Sequence, residues 1–192
     1  MLKSYKFLGT ILTTWAILLV VGGIALSKSL EEPGLIPSKI DGRGIRWEKS
    51  RFPLQIVVDP TVSDWYMDVM YAAYLWNIKT GLPLFAIPVL KSTEGLDDIY
   101  GLILVREASV ASFPHTNLGY TFLGNIIDAP IYLPPGVPDS ITARVAVHEL
   151  GHVLGLDHDP SNQTSVMYPT ALTSEFGITD HDITVLREIY GD

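Results

Sequence analysis

The stretch HELGHVLGLDHD (residues 148–159) holds the residue types and the spacing that metal chemistry asks for. His148 and His152 are four apart. On a helix that spacing puts both imidazoles on one face, one turn apart, where they can share an ion. Neutral imidazole is a good zinc ligand, at about 2.0–2.1 Å. Glu149 sits beside His148, where its carboxylate can reach a water on the metal without binding the metal itself, take the proton and pass it to a leaving amine. A catalytic zinc needs a third protein ligand and one open position. His158 supplies the ligand only if the chain turns sharply after the helix, and Gly155 stands where that turn must fall, because glycine takes positive φ at little cost. Leu150, Val153, Leu154 and Leu156 would anchor the helix in a core. The bland alternative is a buried helix with fortuitous histidines. Three histidines, a glutamate and a glycine all in register weigh against it.

Several elements must hold this stretch in place. Residues 51–59 (RFPLQIVVD) read as a strand ending at Pro60. Residues 62–81 follow as an amphipathic helix, with Trp65, Val69, Ala72, Ala73 and Trp76 on one face and Gly81 as its stop. The aromatic stripe reads as core packing rather than a ligand site. Residues 84–90 and 100–107 read as strands, and 117–124 and 129–136 as two shorter ones. Residues 140–154 form the histidine helix, with Asp139 or Ser140 as N-cap. Residues 178–191 form the last helix, capped by Thr179 or Asp180, with Ile183, Leu186, Ile189 and Tyr190 on its apolar face. Strands early and the histidine helix after them predict an α+β layer with that helix packed beside the sheet.

The chain has 192 residues and no cysteine, which excludes disulfides, thiolate metal sites and a cysteine nucleophile. Its net charge of −8 and lack of a basic patch argue against nucleic acid as a partner. Residues 7–26 carry no charge; Lys3 and Lys6 precede them, and Lys28, Glu31 and Glu32 follow. A helix that long spans roughly 30 Å, the thickness of a bilayer core. The flanking charges place the N-terminus in the cytoplasm and the remainder outside. Residues 1–27 therefore read as a signal anchor holding a domain at the membrane. The alternative is a signal peptide cleaved at Ala25-Leu26-Ser27, giving a secreted protein. Residues 28–50 read as a linker containing Gly and Pro, and 51–192 as the domain.

HELGHVLGLDH followed by SVMYP (residues 165–169) resembles the metzincin zinc endopeptidases. GLDH, MYP and the closing ITDHDITVLREIYG are most similar to the matrixin, or matrix-metalloprotease, group. The resemblance implies a twisted mixed sheet of about five strands with three helices, here preceded by the N-terminal hydrophobic helix. It implies one catalytic zinc on His148, His152 and His158, with Glu149 activating a water on it to hydrolyse peptide bonds. Met167 would lie on a tight turn beneath the imidazoles, as a soft packing surface. Pro169 stands where other metzincin branches place a zinc-binding tyrosine, so Tyr168 is not expected as a ligand. The substrate would be a protein or peptide in extended form, pairing with an edge strand near residues 117–122. Residues 168–176 would wall the pocket after the cut, with Leu118, Gly119, Tyr168 and Pro169 as substrate contacts.

Departures from the matrixin pattern carry expectations of their own. Without cysteine, a cysteine switch within this sequence is excluded. His115 alone stands in the region of the matrixin structural zinc, so a second zinc is not expected, and calcium has no supporting motif. His181 and Asp182 replace two successive aspartates; Asp182 can still hydrogen-bond the methionine turn. Asp159 is more like the adamalysin branch. Two other readings stand beside the peptidase: a catalytically silent zinc-containing binding or regulatory module, and an interaction protein whose main role is membrane tethering.

Overall fold

The computed structural model describes residues 39–40, 43–96, 100–108, 113–121, 123–170 and 177–190. The hydrophobic segment 7–26 lies outside them. Among the described residues no helix is long and apolar enough to cross a membrane.

A hairpin opens the described chain, β1 (Lys39–Ile40) against β2 (Arg43–Gly44). The main sheet is built on β3 (Gln55–Val58), whose β-branched Ile56, Val57 and Val58 are all buried. It pairs in parallel with β4 (Val89–Leu90) on one side and β5 (Leu102–Glu107) on the other. Beyond β5 comes β9 (Ile131–Leu133), also parallel, and then β6 (His115–Thr116), which is antiparallel to β9 and closes the sheet. The order is thus β4-β3-β5-β9-β6, a mixed five-stranded sheet. A separate ribbon joins β7 (Gly119–Tyr120) to β8 (Ile126–Asp128).

Three α-helices complete the domain: α1 (Tyr66–Thr80), α2 (Asp139–Val153) and α3 (Asp180–Tyr190). The predicted stripe Trp65, Val69, Ala72, Ala73 and Trp76 is buried, and Gly81 ends α1 at φ +71°. The Trp76 indole donates to Val147 O of α2 at 2.9 Å, which fixes the two helices side by side. From Arg144 to Val153 every residue of α2 is buried, so this helix sits inside the core rather than on it. Its N-cap is Pro138, one residue earlier than expected and without a side-chain cap bond; Asp139 then falls in the first turn, where the helix dipole favours it.

Two expectations change. The stretch 117–124 is not the edge of the main sheet. Gly124, at φ +86°, turns the chain so that Thr121 N donates to Asn125 O at 2.8 Å, and β7 folds onto β8. The antiparallel edge is instead β6, two residues upstream. The stretch 28–50 is also not linker throughout. Ile45 and Trp47 are fully buried, with the Trp47 indole donating to Val153 O at 2.8 Å. Arg46 N donates to Gly124 O at 3.0 Å, and Ile126 N donates to Arg46 O at 2.7 Å. An apolar residue on either side of an exposed arginine, each inserted beneath the end of α2, makes residues 45–47 part of the packed unit.

Candidate metal centre

The site is built from the end of α2 and the loop beyond it. Gly155 N donates to His152 O at 2.8 Å, and Leu156 N donates to Gly151 O at 3.1 Å. That pair of bonds is the Schellman arrangement, which ends a helix on a left-handed residue. Gly155 is that residue, at φ +88°, and a Cβ there would run into the backbone carbonyl of Ile45. Conformation and space therefore both require glycine. The turn swings His158 back beneath the helix. Ring centroids of His148, His152 and His158 lie 4.5, 5.3 and 4.8 Å apart, and their ligand atoms all fall within 4.8 Å of one another. Among the described residues no other group of histidines and carboxylates converges this way.

Each helical imidazole is oriented by a backbone carbonyl. His148 Nδ1 lies 2.6 Å from Val166 O, and His152 Nδ1 lies 2.8 Å from Leu156 O. A carbonyl only accepts, so Nδ1 carries the proton in both rings and each Nε2 presents a bare lone pair. Those two Nε2 atoms are 2.8 Å apart. Two lone pairs repel at that spacing unless a cation lies near both. Tetrahedral zinc at 2.0–2.1 Å from each nitrogen would set them about 3.3 Å apart, so the residues present fit the ion. Burial holds all three imidazoles below their ordinary pKa, His152 down to about 3. The neutral ring is the ligand form.

Glu149 is fully buried. The Thr116 hydroxyl, on edge strand β6, donates to its Oε2 at 2.6 Å and lies 3.2 Å from its backbone carbonyl. Oε1 is buried with no hydrogen-bond partner among the described residues. Burial pushes the carboxyl up to about 8, against the pull of the Thr116 hydroxyl. A cation on the three imidazoles would favour its ionised form, and a carboxylate with one oxygen fixed and the other idle is then set up to handle a proton at the idle oxygen.

Met167 is fully buried in the turn after the third histidine. Its N–H donates to Ser165 Oγ at 2.9 Å, and Ser165 Oγ donates to Asp182 Oδ1 at 2.8 Å. Its thioether packs directly on Gly151, where a Cβ would strike the sulfur and come within 3.1 Å of the Trp76 ring. Asp159 N donates to Met167 O at 2.8 Å, tying the third-histidine segment to the same turn. Arg144, one turn before His148 and buried, donates from Nη2 to Thr170 O at 3.0 Å and holds the segment after the turn against α2.

The expected substrate contacts divide. Tyr168 and Pro169 are half-buried beside the methionine turn. Leu118 is only 8 % exposed and its side chain packs in the core. Gly119 faces Asp128 across the ribbon, where a Cβ would meet that carboxylate; it serves the close approach of β7 and β8. Residues 171–176, the rest of the expected wall, lie outside the described residues. Thr116, Gly151 and Arg144 were missed. Gly151 stands inside the histidine motif, and a helix-interior glycine there was the available signal of a close approach.

Residues 138–191 match the family model for matrixin. This segment is matrixin-like. It is 48 % identical over 50 residues to matrilysin of Rattus norvegicus, covering 24 % of this chain and 18 % of that protein. It is 45 % identical over 59 residues to metalloendoproteinase 2-MMP of Arabidopsis thaliana, covering 27 % and 15 %. To matrix metalloproteinase-26 of Homo sapiens it is 43 % identical over 51 residues, covering 25 % and 19 %. The chain thus spans less than a fifth of the length of these curated relatives. A solved zinc-protease structure, high choriolytic enzyme 1 of Oryzias latipes, aligns at TM-score 0.47 and 12 % identity, covering 76 % of this chain and 93 % of that one. That similarity is too low to establish a shared fold. The matrixin-like segment holds all three histidines, Glu149, Gly155 and Met167, but none of the five strands of the sheet.

Proposed function

We propose that the chain is a zinc-dependent endopeptidase that hydrolyses peptide bonds outside the cytoplasm. The observation that carries this reading is the joint geometry of the centre. Three buried imidazoles converge, and beside them Glu149 holds one oxygen on Thr116 and offers the other. His148, His152 and His158 would hold the ion through their unprotonated ring nitrogens. Zinc, when bound, would supply Lewis acidity to a carbonyl oxygen and make water a better acid. Glu149 Oε1 takes a proton from the attacking water and returns it to the departing amine nitrogen. The extended substrate lies along β6, the antiparallel edge strand of the sheet, because that strand brings Thr116 and Glu149 together. Tyr168 and Pro169, beside the methionine turn, are the other proposed substrate contacts.

The location rests on the sequence alone. The uncharged segment 7–26, with lysines before it and acidic residues after, supports an anchor or a signal peptide cleaved after Ser27. The test of the reaction is incubation of the full chain with casein and a mixed peptide library, with and without a zinc chelator. Cleavage that the chelator abolishes and added zinc restores is the expected result. A folded, zinc-loaded chain that cleaves nothing would overturn the reading in favour of a binding or regulatory module.

A further inference from the structure

An apolar feature that the metal centre does not explain lies on the outer face of α1. Met67, Tyr71, Tyr74 and Ile78 recur at spacings of four, three and four, and they are 63, 48, 61 and 59 % exposed. The opposite face, from Val69 to Trp76, is already committed to the core, so this helix is apolar on two sides. A strict 3.5-residue period is the seam pattern of two helices lying side by side; a bilayer surface asks for a wider apolar arc. Next to the seam, residues 85–88 form a second wall. Asn77 clamps that wall to α1, donating to Phe85 O at 2.8 Å and accepting from Phe85 N at 2.9 Å. The groove between them measures about 550 Å³. Ile87, 78 % exposed, stands on its rim, Val89 and Leu90 extend the apolar surface along the outer edge of β4, and Leu82 follows the C-terminal end of α1.

We propose that this face is a two-fold, antiparallel contact between two copies of the chain. Eight large apolar side chains, each roughly half exposed, present on the order of 700 Å²; a standard interface buries about 800 Å² per partner. Charge sets the direction. Asp64 and Asp68 lie at the N-terminal end of the seam and Lys79 at its C-terminal end. A parallel pair would set like charges together. An antiparallel pair brings Lys79 of each copy toward the aspartates of its partner, twice by symmetry, and opposes the helix dipoles. It also places Tyr71 of one copy opposite Tyr74 of the other. The uncharged segment 7–26 could cover the seam but would give these flanking charges no partner.

Because the chain has no cysteine, engineered cysteines report this contact cleanly. Full-length Tyr71→Cys and Tyr74→Cys chains, mixed in detergent and oxidised, should give a disulfide-linked dimer containing one of each. Either variant alone should give much less. In sedimentation, Tyr74→Glu should raise the dimer dissociation constant by about thirtyfold or more with the melting temperature unchanged. A chain that stays monomeric at about 100 µM without cross-linking overturns the proposal. So does preferential Tyr71→Cys self-linkage, which would mean a parallel pair. A photo-cross-linker at position 74 that captures residues 7–26 of its own chain overturns it in favour of an intramolecular cover. A monomer that binds phosphatidylglycerol vesicles, and loses that binding on Tyr74→Glu, overturns it in favour of a membrane surface.

Discussion

Thr116 decides which oxygen of Glu149 is available. Its hydroxyl occupies Oε2 at 2.6 Å, so only Oε1 can reach a reacting proton. Without that bond a buried carboxylate is free to rotate and has both oxygens unsatisfied. A hydrogen bond to a charged group contributes about 1.5–3 kcal/mol. Thr116→Val should therefore lower turnover by about tenfold to a hundredfold, with zinc content unchanged and Thr116→Ser close to wild type. Equal turnover in the valine variant would remove the positioning role. At this scale the sequence is legible where one periodic element carries the chemistry. His148 and His152 share a helix face by spacing alone, and Gly155 marks the turn that returns His158. Thr116 was not legible because its partner is 33 residues away, and no spacing rule links an edge strand to a helix. The inward side of Leu118 was not legible for a related reason: two neighbouring residues of a strand face opposite ways, and a shift of one residue in register exchanges outer side for core side.

Between elements, hydrogen-bonded carboxylates tie the loops to the frame. Thr179 N donates to Asp182 Oδ2 at 2.7 Å while Asp182 N donates back to Thr179 Oγ1 at 3.3 Å. This reciprocal cap starts α3, and Asp182 Oδ1 then holds Ser165 beneath the methionine turn. The cap was legible as Thr179 or Asp180, since a threonine three residues before an aspartate is a local pattern; the link to the turn was an expectation from the resemblance to matrixins. Asp59 does similar work at the other end of the sheet. It accepts from the N–H groups of Thr61 and Thr93 and from both hydroxyls, and these bonds hold its carboxyl well below the usual 3.8. A carboxylate whose folded pKa is depressed contributes stability that is present above the unfolded value and is lost as pH falls through the folded one. Wild-type melting temperature should thus fall more steeply than that of Asp59→Asn once the pH drops below about 4. Parallel melting curves would show that Asp59 adds nothing. Strand lengths were the poorest reading. Residues 84–90 are apolar throughout, yet only Val89–Leu90 forms a strand as β4; upstream, Leu54 N donates to Leu84 O and Ala86 N donates to Leu54 O as an isolated bridge, and Pro88 between the two has no N–H to give a ladder.

At the scale of the whole molecule, the described residues form an α+β domain with a five-stranded sheet and three α-helices, in which β6 takes the place expected for residues 117–124. Its upstream limit also departs from expectation. Ile45 and Trp47 sit in a stretch whose Gly and Pro content suggests a linker, but composition does not register two isolated apolar residues that insert under the zinc helix. The Trp47 indole bonds Val153 O, and Tyr190 donates to Leu154 O at 2.9 Å, so the last turn of α2 is held from both ends of the described chain. Trp47→Ala should cost about 3–5 kcal/mol, read as a fall in denaturation midpoint, and should weaken zinc binding with it because the same turn aims His152 and His158. A midpoint within error of wild type would return residues 45–47 to the linker. In the proposed function this frame serves to let Glu149 move a proton beside a metal. The most direct test of that role is kcat/KM on the best-cleaved peptide for wild type and Glu149→Gln, each first shown to hold one zinc per chain. The account predicts a loss of at least about a hundredfold at equal zinc content. Equal rates in the two proteins would contradict it.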